Sequence, residues 1–126
     1  MASIIDIEGI GPAFAEKLGK ANIKTVEGLL KEGASKKGRQ AIAQATGIDE
    51  KKILDWVNMA DLFRINGVAS QFAELLEAAG VDTIKELRNR NAENLHAKLT
   101  EVNESKKLTR VVPSMEKVAD FIEQAK

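Results

Sequence analysis

Ile7-Glu8-Gly9-Ile10-Gly11-Pro12-Ala13-Phe14-Ala15-Glu16 returns 58 residues later as Ile65-Asn66-Gly67-Val68-Ala69-Ser70-Gln71-Phe72-Ala73-Glu74. The match runs on from Leu18, Ala21, Ile23, Thr25, Val26 and Leu29 to Leu76, Ala79, Val81, Thr83, Ile84 and Leu87. An internal repeat governs the architecture, so it is read before anything else. The matched positions are mainly apolar, Gly or Thr, the residue types that build cores, turns and caps. Chance similarity between two helices would not also preserve the turn residues.

Helix punctuation agrees with the repeat. Pro12 suits the first turn of a helix running to about Ala21, where its missing N–H is not needed. Thr25 and Thr83 are N-cap candidates, and Thr83 with Glu86 has capping-box spacing. Ser35 and Asn91 suit the start of a third helix in each copy, Asp49 and Asn103 the start of a fourth. Gly47 and Gly80 suit helix ends, and Pro113 the opening of a last helix that finishes near Lys126. Later anchors pair Thr46-Gly47-Ile48-Asp49-Glu50 with Thr100-Glu101-Val102-Asn103-Glu104, and Ala60-Asp61-Leu62 with Ala119-Asp120-Phe121, with small insertions between them. Apolar spacing is helical at Ile53, Val57 and Ala60 and again at Val118, Phe121, Ile122 and Ala125. The expected fold is all-α: two tandem repeats of about four short helices each, residues 1–58 and 59–126, packed as one compact unit. Trp56 to Ile65 reads as one helix leading into the second copy. Phe14 and Phe72, in one register, read as buried equivalents. The last helix must bury its stripe of Val118, Phe121, Ile122 and Ala125 somewhere. The expectation is that it packs back toward the first hairpin; a helix lying along the second repeat, or one swapped into a neighbouring molecule, are the alternatives.

Composition narrows the function classes. The chain has 126 residues, the size of one typical domain, and 44% are hydrophobic, enough for a core. Nineteen basic residues balance nineteen acidic ones, so any phosphate recognition must be local. The absence of cysteine removes disulfides, thiolate nucleophiles and Cys-based metal sites. Residues 1–6 lack a basic region followed by an apolar run, so no signal peptide is expected. No stretch approaches the roughly 18 apolar residues of a membrane span. A cytoplasmic protein without a membrane partner is the expectation.

An apolar–Gly–apolar–Gly turn between helices does two things. Its glycines allow positive φ at no Cβ cost. They also bare backbone N–H groups at the start of the next helix, where the dipole favours an anion. Such a turn holds a nucleic-acid phosphate without base contact. Together with Ala15-Glu16-Lys17-Leu18, Ala21-Asn22-Ile23 and Thr25-Val26-Glu27-Gly28-Leu29, it resembles the helix-hairpin-helix superfamily. Similar runs occur in the N-terminal domains of Rad51-like recombinases and in the C-terminal domain of the RNA polymerase alpha subunit. With Lys37-Gly38-Arg39, Thr46-Gly47-Ile48, Trp56-Val57-Asn58 and Ala60-Asp61-Leu62, nearly the whole chain resembles an uncharacterised bacterial family of paired helix-hairpin-helix repeats. That resemblance implies a fold and no activity. Three departures from DNA-binding hairpins stand out. Glu8 holds the place of a proline and sets a carboxylate beside the anion site, Ala13 holds the place of a basic residue, and Ala69 replaces the second glycine of the second hairpin.

The other residues that carry chemistry point to structure. Lys36, Lys37 and Arg39, then Lys85, Arg88, Arg90 and Lys98, form local basic clusters interleaved with Glu; Lys51 and Lys52 pair with Lys106 and Lys107. A solvated surface is the plainer reading of such clusters. His96 is the single histidine, without a partner for a soft metal site or an evident nucleophile for catalysis. Trp56 lies in an apolar helical pattern and reads as core. No Walker-type loop occurs. The expectation is a non-enzymatic binding module without catalytic residues, metal or cofactor. Its leading partner is a DNA or RNA backbone, held weakly by Gly9, Ile10, Gly11, Pro12 and Lys17, with Gly67, Val68 and Ala69 as the second hairpin's counterparts. The alternative is a protein–protein adaptor on the same scaffold. Monomer and dimer both remain open.

Overall fold

A computed structural model describes residues 3–7, 9–68 and 70–126. The chain divides into two compact units, Met1–Asp61 and Leu62–Lys126. In the first, a 3-10 turn at Ile4–Asp6 precedes α1 (Pro12–Lys20), α2 (Val26–Glu32), α3 (Lys36–Thr46) and α4 (Glu50–Leu62). In the second follow α5 (Ser70–Ala78), α6 (Ile84–Leu87), α7 (Ala92–Lys106) and α8 (Met115–Ala125). Among the described residues all regular structure is helical apart from one isolated bridge between Ser3 and Thr25.

Local chemistry explains where the helices start and stop. Thr25 Oγ1 accepts from the Gly28 amide at 2.9 Å, and Thr83 Oγ1 from the Glu86 amide at 3.2 Å. Ser35, Asn91 and Ser114 cap α3, α7 and α8 in the same way. Each cap satisfies a first-turn donor that the helix itself leaves unpaired, typically worth about 1 kcal/mol. Pro113 does not open α8. It sits buried just before the Ser114 cap, five residues ahead of Val118, with the spacing of a hydrophobic staple.

Positions 58 residues apart share geometry as well as sequence. Gly9 and Gly67 have φ of +94° and +95°. The Ile10 amide donates to the Ile7 carbonyl at 3.1 Å, and the Val68 amide to the Ile65 carbonyl at 3.1 Å. After α1 and α5 the chain reverses through left-handed residues, Asn22 (φ 65°) and Gly80 (φ 93°). There Ile23 donates to Leu18 at 2.9 Å and Val81 to Leu76 at 2.8 Å. Asn tolerates the left-handed region better than other side chains, so Asn22 serves where its counterpart is glycine.

Core positions follow the same pairing. Ile7, Leu18, Ile23 and Leu29 are buried in the first unit, and Ile65, Leu76, Val81 and Leu87 in the second. For the closing helices the pairing has a longer spacing: Ile53 with Val118, Trp56 with Phe121, Val57 with Ile122 and Ala60 with Ala125, all buried. Burying one such Val or Ile side chain contributes roughly 1.5–3 kcal/mol. Among the described residues no polar or charged side chain is buried.

Several expectations need correction. Asn103 does not start a helix. No glycine interrupts Thr100–Asn103 as Gly47 does after Thr46, so α7 continues to Lys106 and ends on left-handed Lys107. Leu62 and Phe121 are not counterparts, because the added residues between α7 and α8 shift the register. α4 ends at Leu62 and turns there instead of running to Ile65. Phe14 and Phe72 are half-buried. They lie in the first turn of their helices, each with one neighbouring aromatic ring: Trp56 edge-on to Phe14 at 5.1 Å, Phe121 tilted against Phe72 at 6.4 Å. Finally, Val118, Phe121, Ile122 and Ala125 bury in the core of the second unit, where α8 packs on α6 and α7. The apolar stripe is satisfied by the core of its own unit and does not require the first hairpin.

Phe121→Ala should therefore cost about 3–5 kcal/mol in urea unfolding, the range for emptying an aromatic core site. Phe72→Ala, at a half-exposed ring, should cost clearly less, about 1–2 kcal/mol.

Candidate functional site

Two glycines of the first hairpin have different jobs. Gly9 sits at φ +94°, and a Cβ added there would lie 3.3 Å from Trp56 Nε1. The fold requires glycine at that point. Gly11 has φ −88° and ψ −176°, extended backbone open to any residue, and a Cβ there would meet nothing within 4 Å. The packing of the hairpin does not explain Gly11.

Gly11 is the N-cap of α1, and no side chain of the described residues caps it. The α2, α3, α6, α7 and α8 N-termini each have a Thr, Ser or Asn oxygen on a first-turn amide. At α1, Pro12 has no N–H, and the Ala13 and Phe14 amides belong to the first turn, which has no carbonyl partners inside the helix. The partial positive charge of the helix start adds to them. Ile10 is buried and its amide is bonded to Ile7, so it anchors the hairpin and offers no donor.

Cations gather at the same turn. Lys17 Nζ lies 5.8 Å and Lys52 Nζ 5.9 Å from the centre of the Phe14 ring. One comes from α1 and the other from α4. Lys17 is legible from the hairpin pattern. Lys52 carries no sequence signal beyond its neighbour Lys51, because only the packing of α4 brings it to Phe14. Glu16, the nearby carboxylate on α1, faces Lys20 at 3.9 Å in an exposed pair that contributes little.

The second hairpin is built differently. A Cβ on Gly67 would approach Phe121 Cε1 to 3.0 Å, so this glycine too is required by the fold. Val68 is buried with its amide bonded to Ile65. From α8, Gln124 clamps the turn: its Oε1 accepts from the Asn66 amide at 2.9 Å and its Nε2 donates to the Asn66 carbonyl at 3.2 Å. The counterpart of Lys17 is Leu75, fully buried. Gly67 and Val68 therefore serve the fold. Glu8 and Ala69 lie outside the described residues.

Two of the basic clusters are structural in part. Arg39 Nη1 donates to the Gly33 carbonyl at 2.8 Å, and Arg90 Nη2 to the Gly80 carbonyl at 3.1 Å. Each guanidinium closes carbonyls left open where the chain turns. His96 is half-buried on α7, and its backbone carbonyl accepts the Thr100 hydroxyl at 2.9 Å. Among the described residues no three His, Asp or Glu side chains group as a metal site requires, and no helix is long and apolar enough to cross a membrane.

These features define an all-helical protein in which one turn geometry, a left-handed glycine under an aromatic ring, occurs in each of two units. The chain belongs to the family described as Domain of unknown function (DUF4332), whose model matches residues 8–126. No curated protein and no solved structure matches it.

The contrast between the two glycines is measurable. Gly9→Ala should destabilise the protein by about 1–3 kcal/mol through backbone strain. Gly11→Asp should leave stability unchanged or raise it by up to about 1 kcal/mol, because the carboxylate would cap α1. Thermal or urea unfolding of the two variants checks both.

Proposed function

We propose that the chain is a non-enzymatic binding module made of two helix-hairpin-helix repeats, and that its first hairpin holds a phosphate of a nucleic-acid backbone. The observation that carries this reading is the start of α1 at Gly11, uncapped by the described residues, with Lys17 and Lys52 over the Phe14 ring of its first turn. Backbone amides at a helix start, with nearby ammonium groups, suit a phosphodiester oxygen. They contact no base edge, so binding is expected to be independent of sequence. The glycine that the fold does not need then has a use: it lets the ligand approach the backbone.

The second hairpin has a different part in this reading. Its turn is clamped by Gln124 and its lysine is replaced by buried Leu75. It supports the scaffold, and the first hairpin makes the contact. With a formal net charge of zero, the attraction is local and the affinity weak, micromolar or poorer.

Fluorescence anisotropy with labelled duplex and single-stranded DNA over a salt series tests the proposal. Affinity should fall steeply with salt. Lys17→Glu and Lys52→Glu should each weaken binding and flatten the salt dependence. Gly11→Asp should abolish binding in a protein at least as stable, since its own carboxylate would occupy the amides. Ala69→Val should matter little. Binding that ignores salt and survives Gly11→Asp would overturn the proposal and favour the protein–protein adaptor.

A further inference from the structure

The two units differ most between their last two helices. α3 and α4 are joined by residues 47–49, whereas α7 and α8 are joined by residues 107–114. The longer segment is held in one shape. Asn103 Oδ1 accepts from the Thr109 amide at 3.0 Å, and Asn103 Nδ2 donates to the Thr109 carbonyl at 2.9 Å. Leu108 and Val112 pack on the core of the unit, and Pro113 is buried. Lys107 and Arg110, between these anchors, are exposed.

A shallow open depression of about 640 Å³ lies beside the segment, lined by Lys107, Arg110, Gln71, Asn103, Thr109 and Glu104 among others. Two cations and one carboxylate face it, together with neutral hydrogen-bonding side chains. Lys107 also occupies a position that disfavours it. Its φ is 52°, and the first unit has Gly47 at the corresponding helix end, with φ 74°. A lysine in the left-handed region is less stable than glycine there. Strain of this kind collects at functional positions.

We propose that this depression is an anion site of the second unit that takes a phosphate group, with Lys107 and Arg110 supplying the charge. The segment is already ordered by Asn103 and the buried anchors, so little conformational freedom is lost when the anion binds. Glu104 limits the affinity, but with Lys107 and Arg110 on the same lining the net charge facing the depression is positive. The site uses no residue of the first hairpin and stands whether or not that hairpin binds nucleic acid.

The experiment is an amide NMR titration of the full chain at constant ionic strength, with chloride exchanged for inorganic phosphate in one arm and a short oligothymidylate added in the other. Saturable shifts at Gln71, Thr109 and Arg110 are expected. Shifts in the phosphate arm assign the site to a free phosphate, and shifts confined to the oligonucleotide arm assign it to a backbone diester. Arg110→Ala and Lys107→Gly should each weaken the response about tenfold, the loss of one charge-assisted hydrogen bond. Lys107→Gly should do so with an unchanged or higher Tm, which separates loss of the site from loss of the fold. In the phosphate arm Gly11→Asp should leave the shifts at Gln71, Thr109 and Arg110 unchanged, whatever it does to oligonucleotide contact at the first hairpin. No saturable shift in either arm, or shifts that survive both Lys107→Gly and Arg110→Ala, would overturn the proposal.

Discussion

A glycine at φ near +95° set against an aromatic ring of the closing helix organises each unit. Gly9 meets Trp56 and Gly67 meets Phe121. The contact joins three requirements that few residues satisfy together. The turn needs positive φ, the ring needs a surface without a Cβ, and the closing helix needs a place for its largest side chain. With those met, Ile7 and Ile10, or Ile65 and Val68, point into the core, and the helix after the turn starts in a defined direction. The closing helices α4 and α8 are then as much a part of the hairpin as the turn itself. Ile53 and Val118 are fully buried one turn before the ring, so burial along the helix and the ring–glycine contact reinforce one another.

On this common frame the two units differ at their surfaces. In the first, the helix start at Gly11 has no side-chain cap among the described residues, and Lys17 and Lys52 lie beside Phe14. In the second, Gln124 engages the turn and Leu75 is core. In the second unit two exposed cations, Lys107 and Arg110, sit on the ordered segment between α7 and α8. Several basic residues that look alike along the chain have distinct physical duties. Arg39 and Arg90 close backbone carbonyls, which a freely solvated lysine would do poorly. A balanced net charge is compatible with local anion recognition because a few positioned donors act at short range, where screening is weakest.

The helical class, the turn glycines and most caps were legible in the sequence, because each rests on interactions between residues close along the chain. Thr25, Ser35, Thr83 and Asn91 cap the helices their positions imply. The spacing of 58 residues picked out Gly9 with Gly67 and Leu18 with Leu76 because the same turn and the same core face recur. Of the candidate site, Gly11, Pro12 and Lys17 were legible for the same reason. The repeat pattern could not separate Gly11 from Gly9, since both are simply glycines in a turn. Their difference is a matter of φ and of what stands 3 Å away.

Tertiary packing decided the remainder. It determined that α8 lies in its own unit, that Trp56 and Phe121 hold equivalent places in their units, and that Phe14 and Phe72 stay half-exposed, since a side chain's burial depends on helices distant in sequence. It brought Lys52 to Phe14 across two helices, and Gln124 to the backbone of Asn66. It also turned Asn103 from an apparent cap into a brace for Thr109, because α7 had no glycine to end it and ran past the position where a helix start was legible. Local propensity sets which segments become helices and where they turn. Which faces meet, and which polar groups are left over for a ligand, follows only when the whole chain competes for the same buried space.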